Sequence, residues 1–360
     1  MTRFAFVVHP LTAADVARKY PFTRHLPDRL VEIAIARTPA KSVSEITGVR
    51  SATGAETTGW FVGCPLTSRQ LLEWPAERVV AKVIESARVA EELGAEIVGL
   101  GAYTAIVGGA GREVAEEVDI AVTTGNSYTV ATAVEGTVKA GRLMGIEPAG
   151  AVAAVMGATG SIGRVCAHLL AEEVARLLLV GRRREALEEV AAELAAAPAE
   201  VAVSTTGAEA LPQADLIVTV TSALEAVVEP EMLRPGSVVC DVARPRDVST
   251  RVADERDDVL VIEGGAVSVP GDVHFNFNFG FPPRTAYACM AETMVLALED
   301  RAESYSLGKR LELSRVREIA GLAEKHGFEL AGFRSFERTV EESDIERIRQ
   351  RAAQRAAAPG

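Results

Sequence analysis

Short apolar runs and stretches of helical spacing follow one another along most of the chain. Residues 3–8, apolar after Arg3, predict a buried strand, and residues 11–20 carry the spacing of a helix behind it. Residues 42–64 alternate between apolar and polar and hold two turn signals, Thr47-Gly48 and Thr53-Gly54, which predicts a β-hairpin or meander. A helical stretch over 76–93 stops at Gly94, a residue suited to the left-handed position past a helix end. A buried strand over 97–101 leads into the glycine-rich connection 107–111. Residues 120–124 predict a further strand that runs through Gly125 into a helix reaching Met144, with Asn126 or Ser127 as its N-cap.

From 151 to 269 strand and helix alternate, with strands at 152–156, 177–180, 201–203, 216–220, 237–241 and 259–262. Such alternation predicts a parallel sheet with helices on both faces. The segment His274-Phe-Asn-Phe-Asn-Phe-Gly-Phe281 is too aromatic for a routine linker, and Pro282-Pro283 is predicted to open an apolar helix to about Asp300. Another helix over 314–326 stops at Gly327, and the charged, alanine-rich tail over 341–358 reads as an exposed or frayed helix.

At 360 residues the chain exceeds what one hydrophobic core usually organises, about 250–300 residues, so more than one substructure is expected. A net charge of −12 and a pI near 5.1 argue against a broad nucleic-acid or anionic-membrane surface. Cys64, Cys166, Cys240 and Cys289 lie far apart with no CxxC pair, so the sequence suggests no metal site and no disulfide framework. No 18-residue uncharged apolar stretch occurs, so no integral membrane segment is expected, and the chain reads as cytoplasmic.

The strand over 152–156 leads into Gly157-Ala-Thr159-Gly160-Ser161-Ile162-Gly163 and then a helix. Glycines at that spacing admit a tight turn, the close approach of a pyrophosphate and close helix–strand packing, while the N–H groups at the helix start bind phosphate. The second strand of this region ends in Gly181-Arg182-Arg183, where arginine favours a ribose 2′-phosphate over a free hydroxyl. NADPH is therefore the expected cofactor, with Thr221, Ser222 and Val242 on loops that edge its nicotinamide half. The competing reading of the arginines is a solvated helix start.

The predicted fold class is thus α/β, a Rossmann-type doubly wound parallel sheet with an N-terminal α/β substrate domain and a C-terminal helical segment. The expected boundaries are 1–120 for the substrate domain, 121–150 for a connecting strand and helix, 151–270 for the NADPH-binding domain, 271–335 for helices carrying Cys289, and 336–360 for a charged tail.

Cys289 and Glu292 sit one helical turn apart and share a face. A cysteine in an apolar helix is usually a packing residue. What singles it out is the set Thr123-Thr-Gly125-Asn126, Met156 to Gly163, Leu211-Pro-Gln-Ala-Asp215, Ala288-Cys289-Met-Ala-Glu292 and Lys325-His326-Gly327-Phe328. In order and spacing these segments resemble the long-chain acyl-(acyl carrier protein) reductases of cyanobacteria over about residues 1–330. The resemblance implies that Cys289 takes the acyl group of an acyl carrier protein or coenzyme A thioester, that NADPH reduces it to a fatty aldehyde, and that an aldehyde-consuming enzyme is a partner. It also implies an activating group for the thiol, with His326, Arg284 and the helix start as candidates, and an oxyanion donor, with Asn126 preferred over Thr124 and Ser127. The 274–281 and 107–111 segments depart from that family. Two other readings stay open: a shikimate-dehydrogenase-like or amino-acid-dehydrogenase-like oxidoreductase with no covalent intermediate, and a non-catalytic NADPH-binding protein.

Overall fold

The computed structural model describes residues 1–357 apart from Leu224, Arg244 and Glu337, and the side chains of Arg18 and Lys19 also lie outside the described set. The chain gathers into two compact units. Met1–Asn126, Ser268–Arg310 and Gly321–Glu329 form the first; Ser127–Val267, Leu311–Ala320 and Leu330–Gly360 form the second. The segment expected as separate C-terminal helices is therefore divided between the two.

The first unit is built on β1 (Phe4–Val8), β2 (Lys41–Arg50), β3 (Glu56–Gly63), β4 (Ile97–Gly99) and β5 (Ala121–Thr123). Strands β2 and β3 pair antiparallel as the hairpin that the alternation predicts, while β3, β1, β4 and β5 run parallel. The late segment Gly271–His274 adds an antiparallel edge strand to β2. Central β1 is covered on both faces, which is why Phe4 to Val7 read as a continuous apolar run rather than an alternating one. Helix Ala76–Glu92 packs Val79, Val83, Ala87 and Ala90 into this core, and Gly94 adopts the left-handed backbone expected of it.

The helix expected to open at Pro282-Pro283 begins later. Arg284 has a φ of +59°, which no helical turn accommodates, and Thr285–Tyr287 is extended before the helix Ala288–Leu298 starts. That helix is apolar nearly all round and buried accordingly.

The second unit is a doubly wound sheet of six parallel strands: β6 (Val152–Met156), β7 (Arg176–Val180), β8 (Glu200–Ser204), β9 (Leu216–Thr219), β10 (Val238–Asp241) and β11 (Leu260–Glu263). Their order, β11-β10-β9-β6-β7-β8, reverses between β6 and β9, the switch point at whose strand carboxyl ends doubly wound sheets bind their ligands. Apolar clusters cover both faces, one led by Val155, Leu179 and Val218 and the other by Ala154, Leu178 and Ile217. Strand alternation explains the split, since neighbouring residues face opposite sides.

The tail is largely exposed, as the sequence reads, but it is not frayed. Residues Glu342–Ala357 form a helix that is docked rather than frayed, with Ile345 and Ala352 buried and Ile345 in the same cluster as Phe333. Arg355 reaches Asp257 at 3.0 Å and Asp258 at 3.2 Å, which pins the far end. Two buried positions seven residues apart are too sparse a stripe to register in the sequence pattern.

Candidate active site

In the first unit, Cys289 is the second residue of the helix Ala288–Leu298 and the only one of its residues that is not buried. Cys64, Cys166 and Cys240 are buried. Burial pushes the Cys64 thiol up to about 12 and acts in the same direction on Cys166, so both are held as thiols.

Cys289 is fixed by the turn that follows β5. Gly125 has a φ of +70°, and a Cβ there would lie 2.3 Å from both Cα and Cβ of Cys289. Only glycine permits that approach. A Cβ on Gly101, just past β4, would come within 3.5 Å of the Cys289 sulfur. The thiol therefore stands at the carboxyl edge of β4 and β5. Asn126 follows Gly125 as the first residue of helix Asn126–Leu143 and is 9 % exposed.

Glu292, fully buried one turn beyond Cys289, holds this arrangement together. Its Oε1 accepts from Ser306 Oγ at 2.7 Å and from the hydroxyl of Thr123, whose oxygen in turn accepts the Gly125 N–H at 3.2 Å. Thr124 donates its hydroxyl to the Ser306 carbonyl. Ser306 itself is held in left-handed backbone at φ +53°, a conformation that a non-glycine residue keeps only under constraint. Thr123-Thr-Gly was legible as a motif, whereas nothing in the sequence around Ser306 marks it.

The partners of His326 are Ser51 and Glu299 rather than the thiol it was expected to serve. Its Nδ1 lies 2.7 Å from Ser51 Oγ and its Nε2 lies 2.6 Å from Glu299 Oε1, off the line of a good hydrogen bond. Both ring nitrogens thus face the β2–β3 hairpin and the end of the Cys289 helix. Burial lowers the imidazole pKa while Glu299 pulls the other way; Lys325 and His326 outweigh burial at Glu299 and keep its carboxyl below the usual range. Arg284 is exposed. His9 directly follows β1: its Nδ1 lies 3.1 Å from the Pro10 carbonyl, its Nε2 is buried without a hydrogen bond, and burial takes its pKa down to about 4.

In the second unit the expected phosphate turn joins β6 to helix Ser161–Glu173, with Gly160 as N-cap and no side chain capping the first N–H groups. Gly157 has a φ of +87°, and a Cβ on it would sit 2.6 Å from the Val220 carbonyl; one on Gly163 would sit 2.3 Å from the Gly157 carbonyl. Thr159, Ser161 and Ile162 are half-buried and Gly160 is exposed, so the helix start is open to a ligand. Arg182 and Arg183 follow β7 and are exposed. Thr221, Ser222 and Val242 lie just past β9 and β10. The buried carboxylate of Asp247 locks that loop, accepting from Thr219 Oγ1 at 2.6 Å and from the Thr221 N–H at 2.7 Å. Asp241 does the same for the next loop through the N–H groups of Ala243 and Val248, both at 3.1 Å. Neither aspartate carries a sequence signal beyond its position after a strand. An uncapped helix start beside a glycine cradle that a Cβ would fill fits a dinucleotide pyrophosphate.

Residues 141–263 match the shikimate/quinate 5-dehydrogenase family. The chain is 37% identical over 285 residues to aminotransferase PigE of Serratia sp., which is 78% of this chain and 33% of that protein, so it spans about a third of that relative's length. It is 29% identical over 342 residues to the long-chain acyl-[acyl-carrier-protein] reductase of Synechococcus elongatus, 88% of this chain and 94% of that protein. Among solved structures, L-tryptophan dehydrogenase from Nostoc punctiforme overlays with a TM-score of 0.41 at 13% identity, covering 98% of this chain and 89% of that one. No helix among the described residues is long and apolar enough to cross a membrane. The doubly wound sheet, its glycine turn and the dehydrogenase-family match over residues 141–263 agree on a nicotinamide-dinucleotide type of fold for the second unit.

Proposed function

We propose that the protein is an NADPH-dependent acyl thioester reductase that carries the acyl group on Cys289 and releases a fatty aldehyde. The observation that carries this reading is the placement of Cys289: the only unburied residue of its helix, at the helix start, with the Gly125 turn pressed against its backbone. The positive end of a helix favours a thiolate, the form that attacks. The sulfur adds to the thioester carbonyl carbon, the bond from that carbon to the donor sulfur breaks, and the donor leaves as a thiol after taking up a proton. Asn126 and the N–H groups at its helix start are the donors proposed for the carbonyl oxygen in that step. Glu292 acts as a positioning residue through Thr123 and Ser306. His326 is assigned a positioning role through Ser51 and Glu299.

Gly157, Thr159, Gly160, Ser161, Ile162 and Gly163 would hold the cofactor pyrophosphate, Arg182 and Arg183 its 2′-phosphate, and Thr221, Ser222 and Val242 its nicotinamide half. Bound there, NADPH supplies the hydride that takes a thioester to the aldehyde level. The substrate class, an acyl group on acyl carrier protein or coenzyme A, comes from the Synechococcus relative. The longer Serratia relative is named as an aminotransferase, an enzyme class that consumes carbonyl compounds, which fits an aldehyde-consuming partner. The shikimate-type match covers the cofactor half and says nothing of the substrate half.

The test is intact-mass analysis after mixing the protein with an acyl thioester in the absence of NADPH. One acyl adduct that maps to Cys289, and that disappears in Cys289→Ser with NADPH affinity retained, is the expected result. A Cys289→Ser enzyme that keeps more than about a tenth of the reduction rate, roughly 1.4 kcal/mol of barrier, would exclude covalent catalysis at this residue.

A further inference from the structure

The Phe/Asn segment that precedes the Cys289 helix, separated from it by Pro282 to Tyr287, has a geometry of its own. In a chain with only 5% aromatic residues, Phe275, Phe277, Phe279 and Phe281 stand at every second position, separated by Asn276, Asn278 and Gly280. Their rings form a connected row. Phe275 meets Phe279 edge-on at 5.1 Å, Phe279 meets Phe281 at 5.8 Å, and Phe281 meets Tyr287 edge-on at 4.4 Å. Buried Phe61, on β3, underlies the row and touches Phe275, Phe277 and Phe279 at 5.9, 5.9 and 5.3 Å. The backbone is tied down as well: Ser44 Oγ donates to the Phe275 carbonyl at 2.8 Å, Asn276 Nδ2 donates to the Glu45 carbonyl at 3.1 Å, and Asn278 Oδ1 accepts the Gly280 N–H at 2.9 Å.

Burial grades along the row. Phe61 and Phe275 are buried, whereas Phe277, Phe279, Phe281 and Tyr287 keep part of their surface open. Tyr287 is the N-cap of the helix whose second residue is Cys289, so the row reaches to within two residues of the thiol along the chain. A fixed line of half-open rings costs free energy in water unless something apolar covers it, and a contiguous apolar strip of this kind marks a ligand-binding surface.

We propose that the row Phe277, Phe279, Phe281 and Tyr287 is the wall along which the acyl chain lies, and that Phe279 and Phe281 set the preference for extended apolar acyl groups over short ones. The assignment rests on the acyl-thioester reading of Cys289. With the carbonyl at the sulfur, each added methylene of a linear chain gains contact with a further stretch of ring surface, so transfer quickens with chain length until the row is covered. A polar or branched acid gains nothing from it.

The experiment compares acyl transfer to the full-length protein from acetyl-, butyryl-, octanoyl- and dodecanoyl-coenzyme A without NADPH, followed by intact mass under single-turnover conditions. The wild-type protein is expected to take the dodecanoyl group faster than the acetyl group. Phe279→Ala and Phe281→Ala should each lower the dodecanoyl-to-acetyl rate ratio at least about tenfold, and Phe281→Leu, which keeps apolar bulk, should restore most of it. The ratio is measured within one preparation, so loss of folded protein cancels. A wild-type protein without chain-length preference, or alanine variants whose ratio stays within about twofold of wild type, overturns the wall while leaving Cys289 chemistry standing. Absence of any adduct on wild-type Cys289 overturns the thioester reading itself, and is visible before any variant is made.

Discussion

Gly125 and His9 bear the clearest consequences at the scale of single residues. At Gly125 the backbone is left-handed and a Cβ would fall 2.3 Å from the backbone of Cys289, so alanine there meets both strain and overlap with main chain that has no rotamer to yield. Gly125→Ala is expected to cost about 3 kcal/mol of stability and to slow Cys289 acylation, checked by chemical denaturation and intact mass on the same sample. A variant as stable and as readily acylated as wild type would mean the contact is not as described. At His9, burial lowers the pKa from 6.5 to about 4, so the folded chain refuses a proton that the unfolded chain accepts over that window. The stabilisation is complete above the unfolded value and is lost as pH falls from 6.5 towards 4. The whole effect is at most about 3 kcal/mol. His9→Gln should flatten the pH dependence of the unfolding free energy between neutral and acid pH, and an unchanged slope would place the ring in water.

Elements act here mainly through their ends. The helix Ala288–Leu298 presents Cys289 because every other residue of it is buried, and the carboxylate one turn on ties it to the β5 turn. In the second unit the same logic applies to the β6 turn, where Gly163 lies against the Gly157 carbonyl and the first N–H groups of the helix have no side-chain cap. If Arg182 and Arg183 bind a 2′-phosphate, Arg182→Asp with Arg183→Ala should weaken NADPH by roughly 1.5–3 kcal/mol and NADH by much less, as read by cofactor titration. Equal affinity of the unmutated protein for the two cofactors would remove the basis for NADPH preference.

Charge is the property of the whole molecule with the most direct consequence. If the acyl donor is an acidic carrier protein, a chain of net charge −12 repels it at long range, so docking would require a local basic surface. Arg24 and Arg29 in the first unit are exposed and suited to that role. Docking led by that basic surface makes the rate with a carrier-bound acyl substrate fall as salt is raised from about 0.01 M to 0.15 M, where the screening length shrinks from roughly 30 to 8 Å, whereas unrelieved net repulsion would make it rise. A rate indifferent to salt would rule out electrostatic docking of the carrier.

The strands were legible because each is a short apolar run bounded by turn residues, and β6 matches the run read from the sequence residue for residue. The Gly157 to Gly163 turn was legible for a related reason: the left-handed backbone at Gly157 and the approach of Gly163 to the Gly157 carbonyl are local demands that a spacing pattern records. Tertiary structure alone decided which unit each late segment joins, that the helix after the double proline waits until Ala288, and that the tail helix docks through Ile345 and Arg355. It also decided that Ser306 and Thr123 meet on Glu292, across separations of 14 and 169 residues, and that alternate phenylalanines stack into a row rather than scatter. Periodicity and glycine spacing report the demands of a residue's near neighbours along the chain. A buried carboxylate's partners, and what covers a half-open ring, are fixed by contacts between distant segments that no local pattern encodes.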